Sequence, residues 1–282
     1  MSRRREYSSD KTRQIIKTID ITSSMRISPK EFWIYSDSGS AYMGLMIVGG
    51  GGGGGGDSYK GGTCGGGGCG GEVTVVEDIT VIENTPGQVT IGTGGAGGNH
   101  GANGANGGET TFAYNNITYT ARGGWGGYVP SSLSEMKKRP RLKKSGYCGA
   151  GGGWKEDYNI KKYYNRTYED ALAATPLTWS VKGEEGIKNP FDSTDKTIYS
   201  SGGGAGYNCY NGYDLSSTYP NYGGTGAGRG GYGANNASTN KGAAATSYGC
   251  GGGGGAFSSS HSYSIGGNGY QGIVKIYFYK YV

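Results

Sequence analysis

Short apolar runs alternate with long glycine runs along the chain. Alternating apolar and polar positions predict a strand in QIIKTIDIT at 14–22, and a strand, a turn and a second strand in EFWIYSDSGSAYMGLMIV at 31–48. Eight consecutive glycines follow at 49–56, and strand-like pieces return at 72–95. The run GIVKIYFYKYV at 272–282 is rich in β-branched and aromatic residues, which is typical of a strand. The pattern therefore predicts short strands that lead into and out of glycine blocks.

The glycine blocks require a structure in which the absence of a side chain is an advantage. In a helix or a strand, each interior glycine costs roughly 0.5–1 kcal/mol relative to alanine. Extended chains with three residues per turn can instead lie side by side and pair their backbone groups with several neighbours, provided that no side chain holds them apart. Interior chains would then be all glycine, as at 49–56, and surface chains would need glycine at every third position, as in GNHGANGANGG at 98–108. Further blocks lie at 65–68, 70–71, 202–206, 223–233 and 249–255.

The predicted fold class is therefore mainly β and irregular: a polyglycine-II helix bundle with short flanking β-strands and long loop insertions. We expect residues 1–40 to be an N-terminal attachment segment and residues 41–282 to be the glycine-rich domain, with insertions at 128–148 and 154–201. A collagen-like helix is not favoured, because the three-residue period holds for only a few triplets and there are only 7 prolines. Flexible linkers are not favoured either, because strands and aromatic residues flank the blocks.

Composition alone places the chain close to disordered proteins, since glycine and proline together make up about a quarter of its 282 residues. The net charge of only +6 and the aromatic content of 12% argue against disorder. No apolar stretch is long enough to span a membrane, and no apolar segment of a secretory signal follows the basic N-terminus. The odd number of cysteines then favours free thiols made in a reducing compartment; the five are Cys64, Cys69, Cys148, Cys209 and Cys250.

Five glycine motifs follow one another in a fixed order along the chain: LMIVGGGGGGGG (45–56), TPGQVTIGTGGAGG (85–98), GANGGETTFAYNNITYTARGGWGG (104–127), GCGGGGGAF (249–257) and GGNGYQGIVKIYFY (266–279). This ordered set resembles the glycine-rich domains of bacteriophage tail fibres and tail-tip adhesins. Together the motifs extend over most of residues 42–282, whereas the two insertions and the first 40 residues have no clear counterpart. The resemblance implies a polyglycine-II domain in a virion protein that is synthesised in the host cytoplasm.

Candidate sites for metal binding and catalysis are weak. Cys64 and Cys69 could be half of a zinc site, but no second cysteine or histidine pair has a standard spacing, so two small buried side chains are favoured. Neither His100 nor His261 is surrounded by the signature of a nucleophilic enzyme. The glycine-rich run at 224–231 lacks the Gly-Lys-Ser/Thr ending of a phosphate-binding loop. We therefore predict no enzymatic activity, no metal and no cofactor.

Tyrosine and basic residues are the remaining candidates for contact with a partner. Tyrosine offers a large amphipathic surface at low entropic cost, although these rings could equally pack over the glycine bundle. The tyrosines predicted to contact a receptor or partner are Tyr158, Tyr163, Tyr164, Tyr168, Tyr210, Tyr213, Tyr219 and Tyr222. The predicted basic docking loop contains Lys137, Lys138, Arg139, Arg141, Lys143 and Lys144. Nucleic-acid binding is not favoured, because 21 acidic residues nearly balance 27 basic ones.

The predicted function is that of a non-enzymatic virion appendage, a tail-fibre or tail-tip protein whose Tyr-rich and basic loops attach to the host surface. Its partners would be other virion proteins, reached through the N-terminal segment, and a bacterial surface receptor; a homo-oligomer is compatible with this and membrane insertion is not expected. One alternative is a structural capsid or tail decoration or assembly subunit whose loops lock onto neighbouring virion proteins. A second alternative is a glycine-rich RNA-associated protein, which predicts salt-sensitive RNA binding.

Overall fold

The computed structural model describes residues 13–30, 42–57, 64–82, 84–129, 183–206, 223–231, 240–256 and 264–282. Within these ranges the chain consists mainly of short β-strands and irregular segments, which confirms this part of the predicted fold class. No helix among the described residues is long and apolar enough to cross a membrane.

The strands form three antiparallel sheets within the described ranges. The first sheet has the order β1-β10-β3-β4, the second has the order β2-β5-β6-β7, and β8 pairs with β9. The strands are β1 (Arg13–Ile21), β2 (Met25–Ile27), β3 (Tyr42–Val48), β4 (Val73–Thr80), β5 (Gly87–Thr90), β6 (Thr110–Tyr114), β7 (Ile117–Ala121), β8 (Ile187–Lys188), β9 (Ile198–Tyr199) and β10 (Ile273–Tyr281).

An apolar core lies between the first two sheets. Alternate residues of β3 and β10, including Leu45, Ile47 and Ile276, face Phe112 and Val89 of the second sheet, and all five are fully buried. The opposite face of β3 and β10 is also buried, because the segment that carries β8 and β9 covers it. Burial on both faces explains why β3 and β10 are nearly continuous apolar runs in the sequence.

Lys275 is a buried cation that fastens β8 and β9 to β10. Its Nζ lies 3.0 Å from Asp195 Oδ2 and 3.1 Å from Asp20 Oδ2. Tyr199 OH and Asn189 Nδ2 donate to the same oxygen of Asp195 at 2.7 Å and 2.9 Å. Burial alone raises the pKa of the Asp195 carboxyl, but the hydrogen bonds outweigh burial and hold the pKa below its ordinary value. A buried charge of this kind is stable only while its partners remain in place.

The glycine blocks form extended segments, which we call struts, and the struts together form the glycine bundle. The first interior strut, residues 49–57, donates its N–H groups to three antiparallel neighbours, each reached by every third residue. The donor–acceptor distances are 2.9–3.3 Å. With the neighbour at 66–72 the pairs are Gly49–Glu72, Gly52–Cys69 and Gly55–Gly66. With the neighbour at 102–108 they are Gly50–Gly108, Gly53–Ala105 and Gly56–Ala102, and with the neighbour at 264–270 they are Gly51–Tyr270, Gly54–Gly267 and Asp57–Ser264.

Three further struts run parallel to the first interior strut and donate to its carbonyl groups, again at a step of three residues. The donor–acceptor pairs are Gly95–Gly51, Gly98–Gly54 and Gly101–Asp57, then Gly124–Gly50 and Gly127–Gly53, then Gly252–Gly52 and Gly255–Gly55. The strut therefore has six neighbours, and every one of its N–H groups has a backbone acceptor. Pairing of this kind replaces the hydrogen bonds that water would otherwise make to a buried backbone.

A second interior strut, residues 249–256, has the same environment. It donates to struts at 200–206, 49–57 and 240–245, and it accepts from struts at 65–71, 228–231 and 264–270. The early glycine block at 49–56 and the late glycine block at 249–255 are thus both interior. The two interior struts lie side by side and run in the same direction, since Gly252 and Gly255 bond to Gly52 and Gly55.

The interior struts have no room for side chains. A Cβ atom added at any glycine from 49 to 56 would lie 3.0 Å or less from backbone atoms of a neighbouring strut, and the neighbour changes in a cycle of three. At Gly49 it is the strut at 122–129, at Gly50 the strut at 92–99, and at Gly51 the second interior strut. Glycine is required here because backbone packs directly against backbone.

Surface struts have room for side chains only on their outward side. In the strut at 92–99, Gly92, Gly95 and Gly98 are buried, and Gly94 and Gly97 lie against backbone of the strut at 264–270. The residue that follows each buried glycine is exposed. In the next strut, Asn103 Oδ1 and Asn106 Oδ1 accept hydrogen bonds from backbone N–H groups of the strut at 122–129. An asparagine amide therefore provides the carbonyl group that a further neighbour would provide in the interior.

Candidate functional site

The candidate functional site is one end of the glycine bundle, which we call the loop end. The strut register places eight residues at this end, since for example Gly65 bonds to Gly255, Gly206 bonds to Gly65, and Ala256 bonds to Asn240. These residues are Asp57, Cys64, Val129, Gly206, Gly231, Asn240, Ala256 and Ser264. The opposite end, the sheet end, is where the struts continue into β3, β4, β6, β7 and β10.

Each of these eight residues borders a segment outside the described residues. Such segments lie at 58–63, 130–182, 207–222, 232–239 and 257–263. The bundle directs the chain back to the loop end repeatedly, because struts that run towards that end alternate with struts that run away from it. Residues far apart in the sequence are thereby brought to one small region.

Asp57 is the main polar residue at the loop end within the described part of the chain. Its side chain is only 2% exposed, and Oδ1 lies 2.8 Å from His100 Nδ1. The same oxygen accepts the backbone N–H of Ser264 at 3.0 Å, and the carbonyl of Asp57 accepts the N–H of Gly101 at 2.6 Å. Asp57 thus joins the ends of three segments of the bundle, and its carboxylate is held by hydrogen bonds despite burial.

Within the described residues, the hydroxyl of Ser264, whose N–H bonds to Asp57, is not placed as a nucleophile. Its Oγ donates to the carbonyl of Asn240. A serine activated by histidine would instead be bonded to the imidazole. The geometry therefore favours a structural role, in which Asp57 and His100 close the end of the first interior strut.

The predicted cysteine chemistry is partly wrong. Cys64 and Cys250 are free and buried, as expected for small apolar side chains, and burial raises the pKa of the Cys250 thiol to about 11. Cys69, however, is disulfide-bonded, which contradicts the expectation of free thiols at this position. The expectation failed because the parity of the cysteine count carries no information about which thiols the packed struts bring together. Among the described residues, no group of three or more potential ligands could hold a metal ion.

The partner-contacting residues predicted from the sequence all lie outside the described residues. This holds for the tyrosines Tyr158, Tyr163, Tyr164, Tyr168, Tyr210, Tyr213, Tyr219 and Tyr222, and for the basic loop residues Lys137, Lys138, Arg139, Arg141, Lys143 and Lys144. The described residues that flank them include Val129 and Gly206 of the loop end. The pairing of Asp57 with His100 was not predicted from the sequence. The one usable signal was that Asp57 directly follows the glycine run 49–56, which indicates that a strut ends there.

Two open clefts lie at the sheet end, on either side of Tyr114 and Asn115. One is lined by polar residues such as Arg26 and Gln88, and the other by β4 and the β6–β7 hairpin, with the apolar residue Ile117 among its lining. Tyr114 lines both clefts, and its hydroxyl accepts the N–H of Ile82 at 2.8 Å. The clefts are far along the bundle from the loop end, so they are a separate feature.

Comparison with known proteins agrees with the architecture. A family model described as a glycine-rich domain matches residues 29–279, which include all of the described struts, the strands β3 to β9 and most of β10. No curated protein matches the chain significantly.

Proposed function

The chain belongs to the family of glycine-rich domains, and from this premise we propose that it is a non-enzymatic appendage protein of a bacteriophage virion. In this proposal it is a tail-fibre or tail-tip protein that attaches the particle to a receptor on the bacterial surface. The glycine bundle is the rigid support, and the segments that border the loop end, with their tyrosines and basic residues, contact the receptor.

The first part of the proposal is that the struts are polyglycine-II helices. Three observations support it: hydrogen bonds step by three residues along both interior struts, they lead to six neighbours, and added Cβ atoms clash with a different neighbour at each successive residue. A helix with three residues per turn and no internal hydrogen bonds has this periodicity. An α-helix or a β-strand would repeat at about 3.6 or 2 residues.

The observation that carries the functional proposal is the convergence of chain segments at the loop end. Five segments that differ from the glycine pattern each border this end on at least one side. The segment 130–182, which contains the Tyr-rich residues 154–182, borders it at Val129, and the segment 207–222 borders it at Gly206; the residues that follow these two segments lie near Gly202 instead. Binding residues are disproportionately found on loops that a rigid scaffold positions. The hydrogen bonds of the two interior struts are made by glycine-rich segments of the bundle itself, so the bundle has the properties of such a scaffold.

The N-terminal segment 1–40 is proposed to attach the protein to other virion proteins. Its described part contains β1, which lies at the edge of the first sheet and in which Ile15 and Ile16 are 42% and 40% exposed. A long edge strand with exposed apolar residues can accept a strand from another protein. The same exposed edge strand also favours the alternative in which the chain is a structural subunit of a capsid or tail. In that alternative the loop end would be covered by neighbouring virion proteins, whereas in the receptor-binding proposal it would be exposed.

The direct experiment is an adsorption assay with virions that carry altered forms of this chain. Residues 154–182 are replaced by a short Gly-Ser linker, which leaves the described segment 183–201 and its contacts with β10 intact. The proposal predicts that adsorption to host cells falls at least about tenfold, because receptor contacts at such loops contribute more than 1.4 kcal/mol. A matched control replaces the β6–β7 turn, Asn115-Asn116, by Asn-Gly at the sheet end, and adsorption should be unchanged.

Undiminished adsorption of particles with the 154–182 replacement, with normal incorporation of the chain, would remove the receptor-binding role. If the replacement instead prevents incorporation into particles, the structural alternative is supported. The two results are separated by quantifying the chain in purified particles before adsorption is measured.

A further inference from the structure

A stripe of three large side chains runs along one surface strut. Arg122, Trp125 and Tyr128 occupy every third position of the strut at 122–129, and the positions between them are glycine. Their carbonyl groups all bond to the strut at 66–72, with Glu72, Cys69 and Gly66 as donors in turn, so the three residues share one face. At three residues per repeat, the spacing along the strut is about 9 Å. The guanidinium side chain of Arg122 is 63% exposed and Trp125 is 38% exposed.

An asparagine amide accompanies each aromatic residue of the stripe. Asn106 Oδ1 accepts the N–H of Gly126, which follows Trp125, at 2.8 Å. Asn103 Oδ1 accepts the N–H of Val129, which follows Tyr128, at 2.7 Å. Both asparagines are exposed, and fixing Oδ1 on the backbone fixes the direction of the Nδ2 donors as well. The stripe is therefore a repeated unit of one ring and one oriented amide.

The electrostatics of the stripe do not suit a polyanion. Its one cation, Arg122, is already paired with Glu72 at 3.1 Å. Glu109, which continues the register of Asn103 and Asn106 by three residues, adds an exposed acidic side chain beside it. Single-stranded nucleic acids also stack on aromatic side chains, but they require unpaired basic groups for their phosphates. The stripe therefore fits an uncharged polymer better than a nucleic acid.

We propose that the stripe formed by Arg122, Trp125 and Tyr128, together with Asn103 and Asn106, is a binding surface for a neutral, linear polysaccharide that lies along the strut. The apolar faces of sugar rings stack on the indole and phenol rings, and the sugar hydroxyl groups accept hydrogen bonds from the asparagine Nδ2 groups. The constant repeat of the strut matches a polymer with a constant repeat. This surface lies on the side of the bundle, so the inference goes beyond the attachment proposed for the loop end and does not depend on it.

The test uses affinity electrophoresis of the full chain in native gels that contain hydroxyethyl cellulose, amylose or laminarin as neutral glycans, with poly(dT) as a nucleic-acid probe. We expect at least one glycan to retard the protein. Trp125→Ala should weaken that interaction about tenfold or more, because the ring is the largest contact of the stripe. Trp125→Phe retains an aromatic ring and should weaken it less, and it serves as the test if Trp125→Ala fails to fold.

The matched control is Tyr270→Ala, because Tyr270 is an exposed aromatic residue that packs edge-on against Tyr248 and lies outside the stripe. It should bind the glycan as the unaltered chain does. Replacement of residues 154–182 should also leave glycan binding unchanged, so failure of this inference and failure of the loop-end proposal are distinguishable. The inference is overturned if none of the three glycans retards the protein, or if Tyr270→Ala weakens binding as much as Trp125→Ala. It is also overturned if only poly(dT) binds and Arg122→Gln abolishes that binding.

Discussion

One methyl group at Gly54 should be enough to disrupt the interior of the glycine bundle. In Gly54→Ala the new Cβ would meet the carbonyl group of Gly253 and the backbone nitrogen of Gly254, both in the second interior strut. No flexible side chain is present at this contact that could move aside. The two interior struts must therefore separate to accommodate the methyl group.

The cost follows from the bonds that hold these struts together. Gly252 donates to Gly52 at 2.9 Å and Gly255 donates to Gly55 at 2.8 Å, on either side of the new methyl group. Separation breaks both bonds where water cannot replace them, at about 1–3 kcal/mol each. Overpacking adds about 1–3 kcal/mol, and the lower entropy of alanine in the unfolded chain recovers less than about 1 kcal/mol. We expect the free energy of unfolding to fall by about 2–9 kcal/mol, a large share of the stability of an ordinary domain.

The measurement is chemical denaturation followed by tyrosine and tryptophan fluorescence, with thermal unfolding as a second probe. The matched control is Ala96→Ser, which also adds one heavy atom to a strut but at an exposed position, and it should change stability by less than about 0.5 kcal/mol. If Gly54→Ala and Ala96→Ser have equal effects, then backbone does not pack directly on backbone at this point and the interior assignment of the strut is refuted.

Three further predictions concern other parts of the structure. Asn106→Ala should destabilise the protein by about 1–2 kcal/mol in denaturant titrations, because the N–H of Gly126 loses its acceptor, whereas Asn106→Asp keeps the acceptor and should cost less. Lys275→Met should lower the free energy of unfolding by about 3–5 kcal/mol, because it leaves the carboxylate of Asp195 buried without its cation. This explanation would be contradicted if a double variant, Lys275→Met with Asp195→Asn, were no more stable than Lys275→Met. Burial raises the pKa of both Tyr199 and Tyr277 from 10.0 to about 12, so their contribution to stability is present below about pH 10 and lost as the pH rises towards 12. The free energy of unfolding should then fall by about 1.4 kcal/mol per tyrosine per pH unit in this window, and a flat profile in pH-dependent denaturation would be the contrary result.

The sequence was sufficient to predict features that depend on local periodicity. The alternating run at 14–22 corresponds to β1, the apolar run before the first glycine block to β3, and the final run to β10. The glycine at every third position in 98–108 was predicted to mark one surface strut, and this was right only in part. Gly104 and Gly107 are inward positions of one strut, whereas Gly98 belongs to the preceding strut and Gly101, with a φ of 72°, lies in the turn between them. The predictions that succeeded did so because the spacing of residues along an extended chain determines which of them face inward.

Features that depend on pairing between distant segments could not be predicted. Nothing local to Asp195 indicates that its partner is Lys275, 80 positions away. The β6–β7 hairpin was not predicted, although Asn115 and Asn116, with φ angles of 48° and 59°, are typical of its tight turn and were a usable signal. The tyrosine and basic residues predicted to contact a partner remain predictions, since they lie outside the described residues.

The position of the strut at 264–272 has a consequence for how the protein acquires its structure during synthesis. This strut lies against both interior struts, and it continues into β10, which separates β1 from β3 in the middle of the first sheet. While residues 264–281 are still inside the ribosome, the emerging polypeptide has a gap through its centre that no earlier residue fills. Productive folding must therefore wait until these residues have left the ribosome, and it should be slow, because its essential contacts join segments far apart in the sequence. During that interval the glycine runs would remain solvated and β3 would be open to incorrect strand pairing. Binding to a molecular chaperone, or rapid assembly with other chains, would protect the unfinished protein.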